Sequence, residues 1–429
     1  MLGKSIKVSF LLMTTIFLIT MGILLIAVNT KFINLLIRII CYGLILRGLI
    51  NLLLLIYNKQ NRNKKFIMRD IADIIIISIR EDIIILLPII FGLYFLAIVI
   101  IRVVDYYIYQ KNKIKGSLGI LFSIILNLFV SFALTINPHL KTKYVVMIIG
   151  IYLILIGIKY FIDFLIEILP SKILNKIKKR IKIPVPEIFT AFIPQQLVKL
   201  VNEMLEVDPE ASNYNYNKNN YETDLQIIIH LASSGTAIMG HVEIAFEDMI
   251  YSYGSYDMHS RSLFQTIGDG VILIVNKQKY MKYCVEKRDR YLIEFGISLS
   301  NKEKEIIKKN IDNLININTV DYYSDAQLIE QGKIPARKLT DMSSEIYMYA
   351  NGRFKKIVKG KYKKLFVLNN NCAMMVNSIL KTIGEDVISI NGILTPGAYY
   401  DYLNRQFMLT NTNVITRKIY TKNDFKNIS

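Results

Sequence analysis

Residues 366–380 read FVLNNNCAMMVNSIL. A strand-like apolar end runs into three asparagines, and asparagine is among the best helix N-caps. From there Cys372, Val376, Ile379, Leu380 and Ile383 recur at helical spacing, and Gly384 supplies a left-handed stop. The pattern predicts a helix whose first turn carries a thiol. Free N–H groups and the helix dipole favour a thiolate there, so the thiol pKa is expected to fall by roughly one unit or more.

Some 130 residues upstream, residues 240–248 read GHVEIAFED. HVEIAF alternates as a half-buried strand does. Val242, Ile244 and Phe246 share one face; His241, Glu243 and Ala245 share the other. A thiol at a helix start and an imidazole at a strand start are the parts of a cysteine nucleophile with its base. Taken singly, a buried cysteine is most often an inert small hydrophobe, and a lone histidine a satisfied core residue. As a pair they should bring Cys372 Sγ within roughly 3–5 Å of a His241 ring nitrogen.

Around these two motifs the chain from 186 onward reads as an α+β domain with an antiparallel sheet. Strands are expected at 225–233, 241–246, 249–254, 271–276 and 361–368, and helices at 195–207, 277–288, 301–315 and from 372. Residues 208–223 (DPEASNYNYNKNNYET) read as a polar loop. His230 and Cys284 read as structural. His230, His241, His259 and Cys284 lack the tight spacing of zinc ligands. Gly268-Asp269-Gly270 reads as a turn and not a phosphate loop. No metal and no cofactor are expected.

A Gly-His strand followed much later by Asn-Cys at a helix start resembles the circularly permuted papain-like fold of the NlpC superfamily. That group includes YiiX-like hydrolases and lecithin retinol acyltransferase-like enzymes. The matching stretches are GHVEIAFED, YSYG (251–254), FVLNNNCAMMVNSIL and LTPGAYYDYL (394–403), so the resemblance spans about 221–405. It implies Cys372 as nucleophile, His241 as base, and a third polar residue that orients the histidine. Tyr253 is a candidate for that third place, with Glu243, Asp257 and His259 as rivals. The implied chemistry is hydrolysis or acyl transfer on a peptide, an amide or a lipid ester.

The first 170 residues are of another kind. The 429-residue chain is 52% hydrophobic with a mean hydropathy of +0.35, too apolar for an ordinary soluble protein. Apolar runs long enough to span a bilayer lie at about 8–28, 33–57, 84–108, 118–137 and 143–168. A shorter segment at 66–80 (FIMRDIADIIIISIR) is either a sixth span or a helix lying in the interface. With it, the basic clusters around Lys4, at 58–65, at 109–117 and after 171 all fall on one side, which the positive-inside rule makes cytoplasmic. The expected architecture is an all-α transmembrane bundle of six spans in three hairpins (residues 1–170). A basic amphipathic connector (171–185) follows, then the permuted papain-like domain (186–429). Gly43, Gly92 and Gly150 sit near the start of the second helix in each hairpin, and turns fall near Asn29 and at Asn137-Pro138. This part resembles the HdeD-like six-span membrane proteins.

Charge follows the same division. The net +19 is concentrated in residues 1–185, which carry +17 and leave +2 for the rest. Basic residues beside apolar spans set topology, so a nucleic-acid partner is not expected. Ile173, Ile177 and Ile181 with interspersed lysines suit a helix on an anionic leaflet, making membrane lipids the expected partner. The run 352–364 (GRFKKIVKGKYKK) holds seven basic residues and no acidic one. It reads as a solvated strand pair or as a contact for anionic head groups. Three cysteines (Cys41, Cys284, Cys372) form no disulfide framework and suit a reducing compartment. Together these features predict a multi-pass membrane protein with its C-terminal domain in the cytoplasm, and the heavy use of Ile, Lys and Asn hints at an AT-rich bacterial genome. A papain-like domain that binds without catalysing is the competing expectation.

Overall fold

A computed structural model describes residues 2–58, 73, 83–136, 138–168, 190–208, 216–217, 222–232, 240–385, 387, 393–409 and 412–425. The chain forms two compact units, Met1–Val103 with Leu118–Leu165, and Val104–Ser117 with Ile166–Ser429.

The first unit is helical. Its elements are α1 (Leu2–Ala27), α2 (Thr30–Asn58), α3 (Ile83–Lys111, whose last turns belong to the second unit), α4 (Ser117–Thr135) and α5 (Pro138–Ile168). Four stretches are long and apolar enough to cross a membrane: Val8–Ala27, Leu86–Lys111, Ser117–Thr135 and Lys141–Ile168. The segment 66–80 lies outside the described residues except for Asp73, which forms an ion pair with Arg47 of α2. The connector 171–185, the basic loop from 59 to 65 and most of the polar loop 208–223 lie outside them too.

The three repeat glycines are not equivalent. A Cβ on Gly150 would lie 2.8 Å from the Gly22 carbonyl, so α1 and α5 cross backbone to backbone. Small residues permit such close approach between apolar helices. A Cβ on Gly92 would meet Thr135 at 2.6 Å, and Ser131 Oγ donates to the Gly92 carbonyl at 2.8 Å. Gly43 faces open space.

The second unit is built on a nine-stranded antiparallel sheet. It begins with α6 (Ile193–Val207), then β1 (Tyr216–Asn217), β2 (Leu225–Leu231), β3 (His241–Phe246) and β4 (Met249–Gly254). There follow β5 (Ile267–Asp269), β6 (Val271–Asn276), α7 (Lys277–Glu286), β7 (Tyr291–Ile297), α8 (Asn301–Asn316) and β8 (Thr319–Tyr322). The chain closes with α9 (Asp325–Glu330), α10 (Met342–Ala350), β9 (Arg353–Ile357), β10 (Lys364–Phe366), α11 (Cys372–Leu380), α12 (Pro396–Met408) and β11 (Val414–Tyr420). The strand order is β1-β11-β7-β2-β3-β4-β6-β9-β8, with β10 and β5 forming a separate two-stranded ribbon. The expected strand at 361–368 is shorter than its composition suggests. Lys361–Lys363 make a 3-10 turn, and only Lys364–Phe366 pair, with β5.

Strand alternation sorts the sheet into two cores. Val242, Ile244, Phe246 and Tyr253 join Ala373, Met375 and Val376 of α11 in one. Ala245, Ile250 and Val275 join Tyr280, Met281 and Cys284 of α7 in the other. His241 and Glu243 alternate with Val242 and Ile244, so they lie with Ala245 on the α7 face. The strand therefore carries an apolar side toward α11 and a polar side toward α7.

Candidate active site

The start of α11 is fixed as its sequence predicts. Asn371 Oδ1 accepts from the Met374 N–H at 3.1 Å, the side-chain cap. Its Nδ2 donates to the carbonyls of Val367 (3.0 Å) and Leu394 (2.8 Å), so one buried amide ties three chain segments to the helix start. Gly384 adopts φ +77°, the left-handed stop. Cys372 is thus in the first turn and is 7% exposed.

The thiol departs from expectation in one respect. Burial pushes its pKa up to about 11, and the backbone N–H groups of Val242, Ala373 and Cys372 only partly oppose that rise. The helix start does stabilise the thiolate, but loss of solvent costs more. Cys284, on α7 with no exposure, is pushed further, to about 12.

His241 belongs to a polar cluster on the α7 face. Its Nε2 lies 2.8 Å from Ser252 Oγ, and Tyr256 donates to the same oxygen at 2.9 Å. Glu243 is fully buried; its Oε2 lies 3.8 Å from His241 Nε2 and has no hydrogen-bond partner among the described residues. Behind it, Arg290 lies 3.2 Å from His230 Nδ1, and His230 Nε2 lies 2.7 Å from Glu243 Oε1. An arginine only donates, so Nδ1 of His230 accepts and its Nε2–H points at the carboxylate. Burial pushes the His241 pKa well below its ordinary value, and His230 and Arg290 push the same way.

The candidate residues are therefore brought together in part. Val242, the residue after His241, presents its N–H to the Cys372 thiol. The imidazole itself lies with Ser252 across the strand, and no hydrogen bond joins it to the thiol among the described residues. Tyr253 does not orient His241. It faces the α11 core, fully buried, and its hydroxyl donates to the Tyr362 carbonyl at 2.9 Å. Of its rivals, Glu243 lies nearest the imidazole. Asp257 instead accepts from Lys356 at 2.8 Å and from the His259 N–H at 3.1 Å, and His259 is exposed. Ser252 was missed by sequence reasoning, although one signal could have found it. A polar residue between Tyr251 and Tyr253 of an alternating strand must share the face of His241.

No family model matches the chain, and no match is found among curated proteins or solved structures.

Proposed function

We propose that this chain is a membrane-tethered, cysteine-dependent hydrolase or acyltransferase of papain-like design. One observation carries the reading. The Cys372 thiol, at a capped helix start, lies against the N–H of the residue that follows His241, and His241 is held neutral, the form a general base requires. The approach of the His241 imidazole to the thiol is the one contact the reading adds. In the reaction His241 takes the thiol proton as sulfur attacks a carbonyl carbon. The tetrahedral oxyanion collapses to a thioester and expels an alcohol or amine, which takes the proton from the imidazolium. Water or an amine then attacks the thioester, and the thiol is regenerated. The N–H groups of Val242 and Ala373 are suited to hold the oxyanion. The membrane half is taken as six spans of HdeD-like pattern, with the domain on the cytoplasmic face of a bacterial membrane. The four basic clusters support that topology.

A second reading, a papain-like binding domain without chemistry, is favoured by the absence of a hydrogen bond between thiol and imidazole among the described residues and by the raised thiol pKa. Full-length protein treated with an electrophilic thiol probe separates the two. On the catalytic reading Cys372 labels faster than Cys284, and His241→Ala slows it by about 10²-fold or more, the usual size of general-base assistance. Equal, slow labelling of both, unchanged in His241→Ala, leaves the binding module.

A further inference from the structure

Between β4 and β5 the chain makes a tight excursion that the catalytic reading does not use. Ser262 and Ile267 form an isolated antiparallel bridge, with N–H to carbonyl distances of 2.9 and 3.3 Å. The residues it encloses include Leu263, Phe264 and Gln265, with φ of +46°, +53° and +66°. Three successive side-chain-bearing residues in the left-handed region are unusual, and glycine or asparagine is the ordinary choice there. Here the tip instead displays Leu263, half exposed, and Phe264, 95% exposed. Strained backbone held by its surroundings concentrates where a protein does something.

The surroundings say what this tip meets. The Thr266 carbonyl accepts from the Val367 N–H at 3.0 Å, which joins the loop to the segment leading into α11. Two residues on, Asn369 Nδ2 donates to the carboxylate of Asp105. Asp105 lies in the last turns of α3, within the second unit. The apolar stretch of α3 begins at Leu86. That stretch runs on to Lys111, so within the second unit the loop is joined, through Val367 and Asn369, to the C-terminal turns of a helix apolar and long enough to cross a membrane. The β9–β10 segment beside it carries the basic run 352–364; Lys355, Lys356 and Lys364 pair with Asp321, Asp257 and Asp269, while Arg353 and Lys359 are exposed, charges suited to anionic lipid.

We propose that Leu263 and Phe264 form a finger that inserts into the interfacial layer of the chain's own anionic bilayer. An apolar pair on a turn, with basic residues on the neighbouring ribbon, is the composition of an interfacial anchor. The inference rests on the membrane character of α3 and is independent of Cys372 chemistry.

The chain contains no tryptophan, so Phe264→Trp introduces a single one, excited to the red of the 27 tyrosines. The full-length variant is placed in lipid discs of mixed phosphatidylethanolamine and phosphatidylglycerol, with and without brominated acyl chains. Met348→Trp on α10, an exposed position, gives the water reference. Side chains at the interface reach ~5–10 Å into the head-group and acyl boundary. The Phe264→Trp variant should therefore emit to the blue of the Met348→Trp variant and lose about half its intensity to brominated chains. Leu263→Trp is a second reporter should Phe264→Trp misfold. Emission matching the Met348→Trp reference and indifferent to bromine overturns the proposal. Blue-shifted emission indifferent to bromine also overturns it, because protein and not lipid then covers the tip. The same result in a Cys372→Ala background is expected, so failure of the catalytic reading and failure of this one are told apart.

Discussion

His230 and His241 stand directly opposite each other in the β2–β3 ladder, with ring centroids 5.4 Å apart and planes at 82°. With Arg290 on the far side of His230, a proton on His241 would sit buried and near a positive charge. Burial and those two neighbours hold the His241 pKa well below 6.5.

Stability should follow from that depression. Below about pH 6.5 the unfolded chain binds a proton at this position that the folded chain refuses. The stabilisation is complete above pH 6.5 and is lost as pH falls toward the folded pKa, at no more than about 1.4 kcal/mol per unit. Melting of the full-length protein between pH 7.5 and 5 should show this fall, and His241→Gln should flatten it. An unchanged slope in the variant would assign the effect elsewhere.

The two thiols should titrate late. With Cys372 pushed up to about 11, roughly one molecule in 10⁴ is thiolate at pH 7. In His241→Ala, where only the free thiolate reacts, alkylation of Cys372 should rise about tenfold per pH unit from 7 and level near 11. Cys284 should lag at every pH. A plateau for Cys372 below pH 9 would show that its thiol is ionised more readily than burial allows.

Glu243 should be costly to remove. Glu243→Ala leaves the His230 N–H without its buried acceptor, and a buried donor left unsatisfied typically costs about 1–3 kcal/mol. Glu243→Gln keeps an oxygen acceptor and should cost less. Comparison of denaturation midpoints tests the order, and equal losses in both variants would mean that charge, not the hydrogen bond, matters.

The membrane half offers a paired test. Gly150→Leu forces apart the α1–α5 crossing, where a Cβ already falls 2.8 Å from a backbone oxygen. Gly43→Leu enters open space. Thermal stability in detergent should drop sharply for the first and little for the second. Equal behaviour would restore the threefold equivalence of these glycines.

The legible parts of the fold were those whose local pattern agreed with their tertiary setting. HVEIAF, MIYSYG and VILIVN form strands at the residues expected, and the helix from Cys372 is capped and stopped as read. Five strands were not anticipated: Tyr216–Asn217, Ile267–Asp269 (whose Gly268-Asp269 was expected in a turn), Tyr291–Ile297, Thr319–Tyr322 and Val414–Tyr420. Their pairing partners are distant in sequence, and Thr319–Tyr322 and Val414–Tyr420 mix charged and apolar residues, so sheet formation overrides local composition. Within the site, the position of His241 on the Glu243 face was legible. The partnership with Ser252 depends on register between strands, and the raised thiol pKa depends on burial. Neither is written in the motif.

The Asn371 amide has a consequence for engineering. It pins the helix start to Val367 on one side and Leu394 on the other, and Asn377 grips Val387 through both its amide groups at 2.7 and 3.1 Å. Both margins of the stretch between 387 and 394 are thereby anchored by side chains of α11 itself. Asn371→Ala would free both flanks of the thiol at once, so a redesign that keeps Cys372 in place has to keep its neighbour's amide as well.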